Sequence, residues 1–426
     1  MTKLELKIDW LALFLLLVPT FYVVGVDMRL AQANFFQLAV FTIIALVHVN
    51  KFIRYFLLYA MVQYLAFPLP ISLFQLQNLF LGALAYDFVV RFTKDERIKW
   101  YLWLLLGFMA FNCAWAILQV WNIDPIFMVG NADKQPDGFK EGIGFFGLQA
   151  MMGNYAAAIL PISLLLMPVT AGFCLIGLFI SKSTFSVIAA VIAGAFLLWF
   201  RKRLYFWIMV VAGSITALLY ITITDLPSGQ FSRRLNAWHH IAKEGFKTQW
   251  IGKGLGTLST THRFCEVTPT HQIKLVENEV NLLAFLKQQA DIKGNKEVRT
   301  MLDSVNAANL SVSGVRHEII YLFSRNMQLK GMDVMPWVEA HNEFIQVFFE
   351  MGLIGLAIML AFIGNLFKRF YLFGTKSVFC ITMAASFLAI VIVSVGHFPF
   401  HVARLSVPFL VIAAFFEKSL LKAEGQ

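Results

Sequence analysis

"HNEFIQVFFEMGLIGLAIMLAFIGNL", residues 341–366, opens on three polar side chains and then runs almost wholly apolar, interrupted by one carboxylate, Glu350. A run of this length matches the roughly 20 apolar residues that a hydrocarbon core demands. It predicts a membrane-spanning helix with a polar mouth and a carboxylate at depth. Taken as an unbroken helix from His341, it places Ile345, Phe348, Gly352 and Gly355 on one face. Glu350 then points to the opposite side, about 13 Å further along the axis. A carboxylate at that depth is costly and marks either a hydrogen-bonded packing group or a chemical one. Gly352 and Gly355, one turn apart, are expected to let another helix approach closely. His341, flanked by Asn342 and Glu343 where the span meets water, is placed either as a general base or as a plain interfacial histidine.

Runs of the same kind recur along the chain. Of its 426 residues 59% are hydrophobic and only 14% charged, against about a quarter charged in soluble domains, and mean hydropathy is +0.69. Candidate spans lie at 9–27, 35–49, 52–68, 70–90, 100–121, 145–167, 169–181, 184–200, 204–223, 342–366, 377–397 and 401–416. The expected fold is therefore an all-α polytopic membrane protein of about 12 transmembrane helices. A barrel would alternate, and these runs do not. The N-terminal apolar run reads as a retained first helix, because no small-residue cleavage site clearly follows it.

Charge sets the topology. With the N-terminus inside, the inner segments collect Lys3, Lys7, Lys51, Arg54, Arg91, Lys94, Arg97, Lys99, Arg201, Lys202, Arg203, Lys368, Arg369, Lys376, Lys418 and Lys422. The short outer loops collect Arg29, Lys134, Lys140, Lys182 and Arg404. The bias follows the positive-inside rule, places both termini in the cytoplasm and accounts for the +10 net charge without nucleic acid. Three regions follow: a transmembrane bundle at 1–223, a large, partly helical extracytoplasmic loop at 224–341, and transmembrane helices with a cytoplasmic tail at 342–426. A shorter outer loop, 122–144, is rich in turn residues.

The large loop begins with "SRRLNAWHHIAKEGFKTQWIGKGLGT", residues 232–257. Arg234 and Trp238 fall one turn apart on a helix. A guanidinium is the preferred partner of a phosphate oxygen, although a lone exposed arginine is more often solvated surface. "GKGLGT" lacks Walker spacing and reads as a glycine turn after the helix. Lys182, alone in the outer turn "ISKSTFS", meets a lipid phosphate or snorkels to the interface. Adjacent His239 and His240 cannot share a metal on a helix, and Cys113, Cys174, Cys265 and Cys380 show no ligand spacing, so neither a metal site nor a cofactor is expected.

Two blocks together resemble a known family. "AHNEFIQVFFEMGLIGL" resembles the signature of the O-antigen ligase and O-antigen polymerase superfamily of bacterial envelope enzymes, with His341, Asn342, Glu350, Gly352 and Gly355 at the matching positions. "RRLNAWHHIAKEGFKTQWIGKGLGT" resembles its other block through Arg234, Trp238, Gly252, Gly254 and Gly256. Many members carry a Ser-Arg pair where this chain has Ser181-Lys182, so the charge is kept and the bidentate fork lost. The resemblance implies a GT-C-like, metal-independent glycosyltransferase in the bacterial inner membrane with its site facing the periplasm or outside. Its donor would be a glycan on polyprenyl diphosphate, and its acceptor the lipid A core, another glycan repeat or a protein. His341 would act as base, Arg234 with Lys182 or Arg233 would bind the diphosphate, and Trp238, Asn342, Glu350, Gly352 and Gly355 would support them. Single displacement would invert the anomeric centre. The rival class is a membrane transporter, which predicts ionisable residues along a mid-membrane path and repeated halves.

Overall fold

The computed structural model describes residues 50–67, 70–120, 149–166, 168–181, 183–201, 203–204, 206–207, 228–260, 262–267, 272–277, 279–292, 294–304, 334–337, 340–397, 399–401 and 403–425. The expected spans at 9–27 and 35–49, nearly all of 204–223, the loop at 122–144 and Lys182 lie outside the described residues. The described chain is mostly helical. Four of its helices are long and apolar enough to cross a membrane: Asp95–Gln119, Thr184–Arg201, Glu343–Gly374 and Val378–Gly396.

The bundle is built from α1 (Lys51–Ala66), α2 (Pro70–Phe92), α3 (Asp95–Val120), α4 (Gln149–Leu166), α5 (Ala171–Ser181) and α6 (Thr184–Arg201). Helix α7 (Ser228–Gly245) and the single turn α8 (Thr257–Thr260) follow. Small residues bring several of these helices close. Ala156, Ala157 and Ala158 of α4, and Ser186, Ala189 and Ala193 of α6, are fully buried, the composition by which helices pack where no hydrophobic gradient drives them together.

Helix α3 starts at Asp95, five residues before the expected span, because Asp95 and Glu96 occupy its first turn, where carboxylates favour the positive end of the helix dipole. Between 258 and 337 the loop is partly helical as expected, with a helix falling on the helix-like stretch "ENEVNLLAFLKQQADIK", and it also forms a sheet that the sequence reading does not contain. Strands β1 (Arg263–Val267) and β2 (Gln272–Val276), then helices α9 (Glu279–Ile292) and α10 (Lys296–Asp303), precede β3 (Val334–Trp337). The strands form an antiparallel sheet in the order β2-β1-β3, with Phe264 opposite both Leu275 and Trp337. Cys265 packs with Val276 of β2, Leu282 and Phe285 of α9 and Val298 of α10. On the other face, Phe264 joins Ala237, Ile241, Trp337 and Phe349. The sheet thus fastens α7 to the next long helix.

That helix, α11 (Glu343–Arg369), is followed by α12 (Val378–Gly396) and α13 (Ala403–Ala423). Helix α12 packs on α4 and α6, α13 on α2, and α11 on α1 and α7. Helix α13 runs seven residues beyond the expected end at 416. Its added turns carry Glu417, which accepts from Arg369 at 2.9 Å and Asn50 at 2.9 Å and meets the Tyr86 hydroxyl, and Lys422, 2.8 Å from Asp95. Lys418, Lys422 and Arg369, all assigned to one side by the charge bias, therefore gather at one end of the bundle.

The unbroken helix expected from His341 is corrected twice. First, α11 begins at Glu343. Asn342 is its cap, extended in backbone, its side chain accepting from the Ile345 N–H at 3.0 Å. His341 stands outside the helix at φ +49°, so no helical wheel relates it to Glu350. Second, α11 is broken at Gly352, whose φ is +66° and ψ −167°.

The segment 249–254 fills the break as an added strand would. The Lys253 and Gly254 amides donate to the Phe349 and Glu350 carbonyls, each at 2.9 Å, and the Leu353 and Ile354 amides donate to the Gln249 and Trp250 carbonyls at 2.7 and 3.3 Å. The backbone groups that a broken helix exposes are thus satisfied, as a membrane environment requires. Gly252, at φ +75°, lies against the Glu350 carbonyl, and Gly352 lies against the Trp250 carbonyl. The expected helix–helix contact at Gly352 and Gly355 is replaced: Gly352 receives this loop, and the position a Gly355 side chain would take faces Met351 of its own helix. Tyr59 and Gln63 of α1 hold the loop tip through the Ile251 carbonyl, Gln63 at 2.6 Å.

Candidate functional site

Four segments converge where α7 meets the mouth of α11. Arg233 and Arg234 are neighbours on α7 and, about 100° apart around it, diverge. Arg233 turns to the sheet and pairs at 2.9 Å with Glu266, which is wholly buried in β1 and also accepts from the Trp337 indole at 3.0 Å. The buried Glu266 carboxylate thus already engages the Arg233 that was expected to bind diphosphate, and removing this guanidinium would leave that charge uncompensated. Arg234 turns the other way. It donates to the Gly396 carbonyl at 3.3 Å and lies 5.8 Å over the Phe185 ring.

Trp238, one turn along α7, donates from Nε1 to the Ala340 carbonyl at 2.7 Å. It thereby grips the residue before His341. On the other side of that turn Gln346 accepts from the Ala340 N–H at 3.2 Å and donates to Glu350 at 3.4 Å. Trp337 sets the edge of its ring system against the His341 imidazole, centroids 5.8 Å apart. His341 is thus held in a left-handed turn from both sides, and Glu350, fully buried, ends the chain of side chains that supports it.

His397, just past α12, is a site member that the sequence reading missed. Its carbonyl accepts the Glu343 N–H at 3.1 Å, its Nε2 lies 3.1 Å from the Ser183 hydroxyl, and its ring meets Phe185 edge-on at 6.2 Å. Hydropathy had placed it inside the apolar span 377–397. The signal available was the one used for His341, a histidine at the end of an apolar span.

Charge within the cluster is one-sided. Burial, and then the Arg234 guanidinium, pull the His341 imidazole down to about 4. The same two causes, with His341 as a third, take His397 to about 3. Both are neutral at pH 7. In the unfolded chain each titrates near 6.5, so between the two values unfolded protein binds more protons than folded protein. The stability that these groups confer is complete above about pH 6.5, falls as pH drops towards 4, and is gone below about 3. Thermal melts should show that decline, and His397→Gln should flatten it.

An apolar cavity lined by Phe56, Leu57, Met351, Met359 and Phe362 also reaches Glu343 and Glu350, and so adjoins the mouth of α11. Among the described residues no three His, Cys, Asp or Glu gather as a metal site. Of the expected site residues the structure brings together His341, Arg234, Trp238, Asn342 and Glu350, and it turns Arg233 away. No known family model matches the chain, and no curated protein matches it.

Proposed function

We propose that the protein is a membrane-embedded glycosyltransferase of the O-antigen ligase or polymerase type, moving a glycan from a polyprenyl diphosphate carrier to an acceptor hydroxyl. The observation that carries this reading is the pairing of a partly buried guanidinium, Arg234, with a neutral imidazole, His341, at the mouth of an apolar helix bundle. The acceptor oxygen bonds to the anomeric carbon as the carbon–oxygen bond to the diphosphate breaks. The electron pair leaves with the diphosphate, met by Arg234, and the acceptor proton passes to His341. One displacement inverts the anomeric centre, and no divalent ion takes part.

A neutral imidazole is in the right state to accept a proton. The incoming diphosphate offsets the Arg234 charge, which is one of the two causes that hold the imidazole down, so the base strengthens when the donor is in place. The apolar cavity beside Glu343 suits the hydrocarbon part of a lipid-borne substrate. In this reading the site faces the outside of a bacterial inner membrane.

Trp238→Phe keeps an aromatic ring, though a smaller one, and removes the N–H that holds the Ala340 carbonyl. Transfer should fall about tenfold, mainly in kcat, and the melting temperature should drop modestly, since a buried positioning bond of this kind is worth roughly 1–3 kcal/mol. The reading itself is tested by incubating purified protein with a lipid-linked oligosaccharide, with and without lipid A core. A ladder of repeats identifies a polymerase and a single shifted core band a ligase. An unconsumed donor together with solute flux in liposomes would replace the enzyme with a transporter.

A further inference from the structure

Arg234, His341 and His397 lie 56 or more residues apart in sequence, yet Arg234 donates at 3.3 Å to the carbonyl of Gly396, the residue before His397, and lies with His397 against the one Phe185 ring, while the His397 carbonyl accepts the Glu343 N–H two residues past His341. His397 is fixed on three sides. Its carbonyl caps the Glu343 N–H, its ring abuts Phe185, and its Nε2 meets Ser183. Ser183 is itself held, because its hydroxyl lies 2.8 Å from that of Ser186, which lies 2.8 Å from Asn154 Oδ1. A buried chain from α4 through α6 thus sets the orientation of this imidazole, a degree of construction that packing alone does not require.

We infer that His397 is a second imidazole of the Arg234 site, and that a phosphate-bearing anion held by Arg234 is also met by His397, which takes up a proton as the anion arrives. The charged and titratable groups facing it among the described residues are few. Helix α7 supplies Arg234, and the mouth of α11 supplies His341 and Glu343, whose carboxylate accepts from the Phe400 N–H at 3.2 Å. Helix α4 presents neutral Asn154, α6 presents Ser186, and the residue before α6 is Ser183. Without an anion, a guanidinium and two imidazoles crowd one desolvated spot, and both imidazoles give up their charge. An anion reverses the balance by offsetting Arg234 and by rewarding a protonated partner. That the anion is the diphosphate of a lipid-linked glycan rests on the function proposed above.

The test uses the full chain in nanodiscs of zwitterionic lipid with inorganic pyrophosphate as probe, titrated calorimetrically at pH 7 in two buffers of unlike ionisation enthalpy. Wild type should bind with net proton uptake. His397→Gln should bind roughly ten- to a hundredfold more weakly, with less uptake. Affinity and uptake equal to wild type in that variant would overturn the inference, as would the absence of pyrophosphate binding to wild type. Should the variant fail to fold, histidine-labelled wild type decides by NMR: imidazole signals that turn from neutral to protonated on adding pyrophosphate support the assignment, and unmoved signals overturn it. Repeating the titration with anionic phospholipid separates two sources of the same chemistry. Pyrophosphate binding suppressed by that lipid in wild type makes a headgroup the occupant, and unchanged binding makes it a diphosphate; in both arms the loss on His397→Gln must persist. Glycan transfer by wild type alongside unaltered binding in His397→Gln sinks this inference alone. His397-dependent pyrophosphate binding without transfer sinks the glycosyltransferase reading alone.

Discussion

His341→Asn is expected to abolish glycan transfer, by roughly two to four orders of magnitude if the imidazole is the general base, in a protein that still folds. Asparagine is chosen because residue 341 sits at φ +49°. Alanine in that left-handed region carries a penalty of about 1–2 kcal/mol, whereas asparagine adopts it readily. The grip on the turn is unchanged, since Trp238 and Gln346 bind the backbone of Ala340 and not the 341 side chain. Turnover measured on lipid-linked donor, with melting recorded on the same sample, separates chemistry from folding. A folded variant with near wild-type turnover would remove His341 from the mechanism.

The second large effect is structural. Gly252→Ala would drive a methyl group into the Glu350 carbonyl and the Gly352 amide, at a backbone φ of +75° that disfavours any side chain. Backbone cannot step aside as a flexible side chain can. Separating the two segments would also give up four hydrogen bonds that fill the break in α11. A loss of about 3 kcal/mol or more is expected, visible as a large drop in melting temperature or as failure to fold. Gly364→Ala, on the same helix with nothing within 4 Å of the added carbon, is the control. It should be neutral or stabilising by up to about 1 kcal/mol. Equal behaviour of the two variants would mean that the clasp between 249–254 and α11 contributes little.

What could be read from sequence, and what could not, divides on how far each signal reaches along the chain. The apolar runs behind α4, α5, α6, α11 and α12 carry their own evidence, and Arg234 and Trp238 share a turn of one helix, so local periodicity found them. The break at Gly352 did not show, because "FFEMGLIGL" is helical by pattern and its distortion is imposed by a loop about a hundred residues earlier. The sheet was hidden for a related reason. Strand β1 is covered on both faces, with Phe264 on one and Cys265 on the other, so it lacks the alternation that betrays a half-exposed strand. The spacing to Trp238 singled out Arg234, but it did not show where its neighbour Arg233 turns. Only the partner of each, buried Glu266 or the carbonyl of Gly396, separates an anchoring arginine from one that faces the site. His397 was absorbed into a span by its apolar neighbours.

The most direct test of the central claim is the release of polyprenyl diphosphate from a lipid-linked glycan by purified wild-type protein in nanodiscs, followed together with the anomeric configuration of the product and repeated with a chelator. The account predicts one diphosphate carrier released per glycan transferred, inverted configuration, no effect of the chelator, and none of this in His341→Asn. Donor left intact under acceptor excess, or release that persists undiminished in His341→Asn, would contradict it.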